Sequence, residues 1–308
     1  MPRLASRNGL AASMSAEVPT MRGGGAPIAP SNGRGALIVL VAFSIFSGTD
    51  AIVKIMAADM PAPQVTFLVT VAALALLLIH ALVTGRVHRL VPRQPSLAFW
   101  RALLLAVDTL LIHYAFAKLP LAEAYLIAFL TPILVAMLGF FLLGERLSAV
   151  GWAGVLIGFA GVAVALKPGV APLNLGHAAA LGSAVFFALS LILLRRAKLA
   201  ETDEALVASL LVVMTPVALA VAAGSGGLIA IGLADLGFAL AGGAMMLGGH
   251  ALLVRAFRVG EASVVAPFQY SQIIWGCLYG ALLFATPVEM HTLAGAAIII
   301  FSGWLVLK

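Results

Sequence analysis

The chain has 308 residues, 63% of them hydrophobic and only 10% charged, with a formal net charge of +6 and a mean hydropathy of +1.12. That is too little polar surface to clothe a soluble globule of this size, so the composition points to an integral membrane protein. The basic residues stand in short stretches between apolar runs. This placement sets membrane orientation, and nucleic acid is not expected as a partner. Cys277 is the only cysteine, which excludes an internal disulfide and a cysteine-ligated metal cluster.

Residues 1–34 are rich in Gly, Pro, Ser and Ala, carry Arg3, Arg7, Arg22 and Arg34, and lack the continuous apolar core of a secretory signal. They read as a disordered cytoplasmic tail. Ten apolar runs follow, near 36–57, 64–84, 97–117, 121–143, 147–167, 177–197, 205–223, 233–257, 262–285 and 291–307. At ~1.5 Å per residue, roughly 20 residues of helix cross a ~30 Å hydrocarbon layer, which is the length of these runs. The stretch GSGGLIAIG between the seventh and eighth is itself fairly apolar, although Pro216 and the glycine cluster punctuate it.

Ten spans put the tail, Arg86, Arg89, Arg93, Arg146, Arg195, Arg196, Lys198, Arg255, Arg258 and Lys308 on one side. Only Lys54, Lys118 and Lys167 fall on the other. The positive-inside rule therefore predicts a multi-pass protein of the inner (plasma) membrane with both termini in the cytoplasm.

The chain also resembles itself at a shift of about 141 residues: Gly35 meets Gly176, Phe46 meets Phe187, Lys54 meets Arg195, Phe116 meets Phe257 and Gly154 meets Gly295. One shift serves five spans, and five is odd, so the second half enters the membrane upside down. Inverted repeats of this kind build alternating-access carriers, in which one bundle rocks against the other around a site near the midplane. Some channels share the architecture.

Several phrases carry a further likeness. HYAFAKLPLAEA, AFLTPILVAMLGFFLLGERLS and GVLIGFAGVAVALKPG in the first half, with HALLVRAFRVGEASVVAPFQYSQIIWGCLYGALLF and LAGAAIIIFSGWLVL in the second, resemble the EamA family of the drug/metabolite transporter superfamily. The resemblance implies an all-α integral membrane protein with ten transmembrane helices in two inverted five-helix EamA repeats, residues 35–169 and 170–308. It also implies a carrier of small organic metabolites such as amino acids, vitamins or nucleotide-derived compounds. The second copy departs from the family at Phe284, Ala285 and Thr286, where the first has Gly144, Glu145 and Arg146. In the second span Phe67, Leu68 and Val69 stand where many relatives carry an arginine.

An ionisable side chain inside a span is expensive and is a functional candidate by default. Asp108, about ten residues into the third span, is the leading one, and replacing the carboxylate would abolish a proton-coupled step; packing through a neighbouring helix is the alternative. Asp50 and Lys54 lie four apart on one face of the first span and can pair, ready to bind the two charges of a zwitterion. In the alternative reading Lys54 snorkels to the interface and Asp50 neutralises it. His113 and His250 can titrate or bond substrate, or bond between helices. Gln269, Tyr270, Gln272 and Trp275 form the densest polar and aromatic cluster in any span and suit an organic solute, with interhelical glue as the rival.

Pro132 and Pro267 are candidate hinges or static bends. Arg101 reads as a positive-inside anchor, Glu123 and Glu145 as span-end caps, and Gly151, Gly154, Gly158 and Gly161 as a close-packing face. There is no HExxH, nucleotide-binding loop or nucleophile motif, so no metal or cofactor is expected. The reading is a secondary transporter, export or exchange, whose partners are a small-molecule substrate and the bilayer; a homodimer is compatible with it. A lipid-modifying membrane enzyme and a channel are the competing classes.

Overall fold

The computed structural model describes residues 32–143, 148–166, 172–197, 201–226, 228–259, 270–286 and 289–306, and among them there is no strand. Eleven α-helices follow in order among the described residues: α1 (Asn32–Met56), α2 (Ala62–Val83), α3 (Pro95–Lys118), α4 (Leu121–Ala128), α5 (Thr131–Leu143), α6 (Ala149–Leu166), α7 (Leu175–Ala197), α8 (Asp203–Gly224), α9 (Leu233–Val259), α10 (Gln272–Phe284) and α11 (Met290–Val306), with a short 3-10 helix at Val87–Leu90. Most start where the sequence supplies a helix start. Proline stands at the first positions of α2 and α3, where its missing N–H costs nothing. The Thr202 hydroxyl caps α8 by accepting from the Ala205 amide at 3.2 Å, followed by Asp203 and Glu204 in the first turn.

Each of the ten apolar runs contains a helix. Among the described residues seven helical stretches are long and apolar enough to cross a membrane, one of them running over α4 and α5; α6, α10 and α11 are shorter apolar helices. The fourth run, expected as one span over 121–143, is two helices that meet at Phe129 and Leu130. The cause is Pro132, which has no N–H for the Ala128 carbonyl four residues back. The Thr131 hydroxyl takes that carbonyl instead, at 2.7 Å, so the break leaves it satisfied. Glu145, Arg146, Lys167, Lys308, Pro267 and Gln269 lie outside the described residues, as does the tail through Ser31.

The helices pack in a defined set of pairs: α1 with α9, α3 with α7, α2 with α8 and α9, α3 with α8, α5 with α7, α1 with α10, α4 with α7 and α10, and α6 with α11. The α6–α11 pair uses the glycine face read from the sequence. A Cβ on Gly295 would lie 2.7 Å from the Gly161 carbonyl oxygen, and one on Gly161 2.9 Å from Ile298 and Ile299 side chains, so only glycine permits this approach.

Two sets of bonds tie loops to helices at opposite ends of α2 and α8. Where Arg86, Arg89 and Arg93 lie, Glu201 accepts from the Arg93 amide at 2.8 Å and from the Gln94 amide, capping the start of α3. Thr202 donates to the Arg89 carbonyl at 2.9 Å. At the other end, buried Gln64 donates to the Ile229 carbonyl at 2.7 Å and accepts from the Ile229 amide at 2.9 Å, pinning the loop between α8 and α9. Near Lys118, Glu123 at the start of α4 accepts from His177 Nε2 of α7 at 3.0 Å, since His177 Nδ1 accepts from the Asn174 amide.

Gln64→Ala removes both bonds to Ile229 and leaves a part-buried backbone pair unserved. The variant is expected to lose about 1–3 kcal/mol, read as a lower melting temperature of the purified protein in detergent. An unchanged melting temperature would show that the loop is held by other contacts.

Candidate functional site

One connected set of interior polar groups lies where α1, α3, α4 and α10 meet, toward the end that carries Lys54 and Lys118. Tyr125 of α4 donates its hydroxyl to Asp50 Oδ2 at 2.6 Å. Its ring sits where a Cβ on Gly276 of α10 would be, 2.6 Å from Cδ2, so a glycine there lets the tyrosine reach α1. Lys54, one turn along α1, donates to the Phe116 and Leu119 carbonyls at 2.7 and 2.6 Å and stands 5.4 Å from the Phe284 ring centroid. Those carbonyls end α3 and have no partner within the helix, so the ammonium acts as its C-terminal cap.

Asp50 and Lys54 therefore share a face, as their spacing requires, but form no ion pair with each other. Each is held by a group from another helix. His113 is buried, with Nδ1 2.8 Å from the Thr66 hydroxyl, which itself donates to the Ala62 carbonyl at 2.9 Å. Since that hydroxyl has one proton, His113 Nδ1 is the donor to it and Nε2 keeps the lone pair. Aromatic rings join this set together: His113 to Phe116 at 6.3 Å, Phe116 to Tyr125 at 5.4 Å, Tyr125 to Phe129 at 6.4 Å and Phe129 to Tyr270 at 5.2 Å.

Others lie deeper along α3, toward the arginine-rich end. Asp108 Oδ1 accepts from the Ser183 hydroxyl of α7 at 2.5 Å, and the aspartate is partly exposed. On α9, His250 Nδ1 donates to the Met246 carbonyl at 2.8 Å, and its ring meets Phe46 of α1 edge-on at 4.9 Å. Arg101 lies two turns before Asp108. Its Nε is buried without a hydrogen-bond partner, which differs from a residue merely anchored at the interface. In the α10 cluster, Trp275 Nε1 and Ser271 Oγ are likewise buried without a partner, while Gln272 is partly buried.

Of the residues singled out from the sequence, Asp50, Lys54, His113 and Tyr270 thus belong to one connected set, while Asp108 and His250 make separate contacts, with Ser183 of α7 and with Met246 and Phe46. Tyr125 and Ser183, which hold the two aspartates, were not among them. Each is a lone hydroxyl in an apolar run, and only the acids across from them give it significance.

Ionisable groups held between apolar helices define a multi-pass membrane protein with a polar interior. Comparison with known proteins makes the class specific. Residues 33–167 match the EamA-like transporter family. The pseudopaline exporter CntI of Pseudomonas aeruginosa (strain UCBPP-PA14) is 29% identical over 268 residues, covering 86% of this chain and 93% of that protein. The S-adenosylmethionine uptake transporter of Rickettsia felis is 26% identical, covering 67% and 70% respectively. The riboflavin transporter of Vibrio cholerae is 23% identical, covering 87% and 91%. A solved structure titled "Crystal structure of protein" shares the fold, with a TM-score of 0.62 at 21% identity, over 89% of this chain and 96% of that one. The first half of the chain, residues 33–167, thus resembles the EamA-like transporter family, and the relatives that match most of its length are transporters.

Proposed function

We propose that the chain is a secondary carrier that moves a small organic metabolite across the cytoplasmic membrane by alternating access, as export or exchange, with Asp108 as the proton-carrying group. In this reading ten spans form two inverted five-helix repeats, 35–169 and 170–308, with residues 1–34 and both termini cytoplasmic. Pro132 and Pro267 serve as hinges. The substrate contacts come from Asp50, Lys54, Asp108, His113, His250 and the segment with Gln269, Tyr270, Gln272 and Trp275.

The observation that carries the reading is the helix pairing. Exchange α1 for α7, α2 for α8, α3 for α9, α4 and α5 for α10, and α6 for α11, and the most extensive pairs map onto one another, while the smaller α2–α3 and α1–α3 contacts have no counterpart of similar extent. The α1–α9 pair becomes α7–α3, α2–α9 becomes α8–α3, and α5–α7 becomes α10–α1, while α2–α8 and α6–α11 map onto themselves. A pairing of this kind is what two related halves with a twofold between them produce, and it permits two equivalent states opening to opposite sides. The relatives named for pseudopaline, S-adenosylmethionine and riboflavin support a metabolite-sized organic substrate.

The test is a thermal-unfolding screen of the purified chain against amino acids, nucleosides, flavins and organic acids, since a ligand that binds only the folded state raises its stability. At least one metabolite is expected to raise the melting temperature saturably. A response confined to lipids would favour an enzyme acting on the bilayer instead.

A further inference from the structure

We propose that the loop between α8 and α9, residues 228–232 together with Leu233 at the head of α9, is a lipid-contact surface that rests among acyl chains at the edge of the bilayer instead of standing in water. The inference needs only that α2, α8 and α9 span the membrane, and it goes beyond the carrier reading above.

From Ala205 to Ala234 the chain carries no charged residue, so nothing between the acidic start of α8 and Asp235 holds the turn in water. Leu228, Ile229, Ile231 and Leu233 are 53%, 48%, 45% and 89% exposed. Four large aliphatic side chains presented together on one connection are unfavourable in water. The apolar surface continues on the two helices that the loop joins, at Leu219 and Val221 of α8 and at Leu236 and Leu240 of α9.

The backbone contacts set the depth. The 22 residues of α2 make ~33 Å of helix against a ~30 Å hydrocarbon core, so its first turn lies at the membrane edge. Gln64 stands in that turn, and its amide holds the Ile229 carbonyl at 2.7 Å and the Ile229 N–H at 2.9 Å. The loop is therefore level with the start of a spanning helix and does not project far beyond it. Irregular backbone is tolerated at such a depth only where its polar groups have partners. Gln64 serves both groups of Ile229 as a neighbouring strand would, and Asp235 Oδ2 accepts from the Gly232 amide at 2.8 Å. Gln64 is itself buried, so the polar side of the loop is satisfied inward while its aliphatic side chains face out.

The composition of the patch favours lipid over a protein partner. Apart from Ser225, residues 224–234 are all Gly, Ala, Leu or Ile. Protein interfaces concentrate their binding energy in Trp, Tyr and Arg, none of which occurs here.

The experiment is site-directed spin labelling of the full chain in phosphatidylcholine vesicles. A Cys277→Ala background removes the one native cysteine, and Leu228→Cys or Ile231→Cys then carries a nitroxide. Val212→Cys, exposed on α8, and His88→Cys, exposed in the arginine-rich loop, are the references. Collision with oxygen, which concentrates among acyl chains, is compared with collision with a water-soluble nickel chelate. Both loop labels are expected to favour oxygen, as the Val212 label does, while the His88 label favours nickel. Loop labels that favour nickel place the loop in water and overturn the proposal. Loop labels that meet neither reagent mark a protein cover, such as a second copy of the chain, and overturn it as well. Gln64→Ala is expected to shift the Ile231 label toward nickel, because the unserved Ile229 backbone is drawn to water; no shift overturns the part given to Gln64. If Ile231→Cys yields no folded protein, Leu228→Cys decides alone.

Discussion

Asp108→Asn is expected to lower transport by at least about tenfold, a barrier about 1.4 kcal/mol higher, and to flatten whatever pH dependence the wild type shows. The substitution is nearly isosteric. The amide oxygen still accepts from the Ser183 hydroxyl, which spans α3 and α7 at 2.5 Å, so the helix contact survives. What disappears is the ability to carry a charge or exchange a proton. A carboxylate at this depth is costly in an apolar bundle, and a packing role needs only the acceptor. The two roles therefore separate. A loss of rate and pH dependence with an unchanged melting temperature marks Asp108 as part of the transport cycle, whereas a variant with wild-type rate and pH profile marks it as a helix contact.

Lys54→Met is expected to destabilise the protein by about 2–4 kcal/mol, because removing a charged donor leaves buried acceptors unpaired. Those acceptors are the Phe116 and Leu119 carbonyls at the end of α3, and the same ammonium also stands over the Phe284 ring of α10. One side chain thus ties together α1, α3 and α10. Lys54→Arg keeps the charge and the donors and is expected to recover much of the loss. Thermal unfolding in detergent reads the difference. If the methionine variant melts with the wild type, the carbonyls have water or another donor and Lys54 is free for substrate.

These two residues show what the sequence made legible. Hydropathy located the helices because each apolar run is about the length a membrane requires, but it did not show that the fourth run breaks beside Pro132, which read only as a hinge or a bend. Spacing placed Asp50 and Lys54 on one face. It could not show which neighbours would hold them, because the choice depends on groups from other helices. Tyr125 brings a hydroxyl that needs an acceptor, and the end of α3 brings carbonyls that need a donor. Both outcompete an intrahelical ion pair.

Arg101 illustrates the same limit from the other side. Six residues into α3, it has the position of an interfacial anchor, and only the fold reveals that its Nε is enclosed. His250 and Asp108 were identified as polar residues in apolar surroundings. That they contact neither Asp50 nor Lys54 comes from the fold. Depth along a helix is written in the sequence; the direction a long side chain takes is set by its neighbours.

The most direct measurement is counterflow in proteoliposomes that contain the full chain, loaded with the metabolite that stabilises it best in the thermal screen. External labelled metabolite is predicted to accumulate transiently above equilibrium, with a saturable initial rate that rises with the internal load. A flux that is linear in concentration and indifferent to the internal load would contradict a carrier and point to a channel.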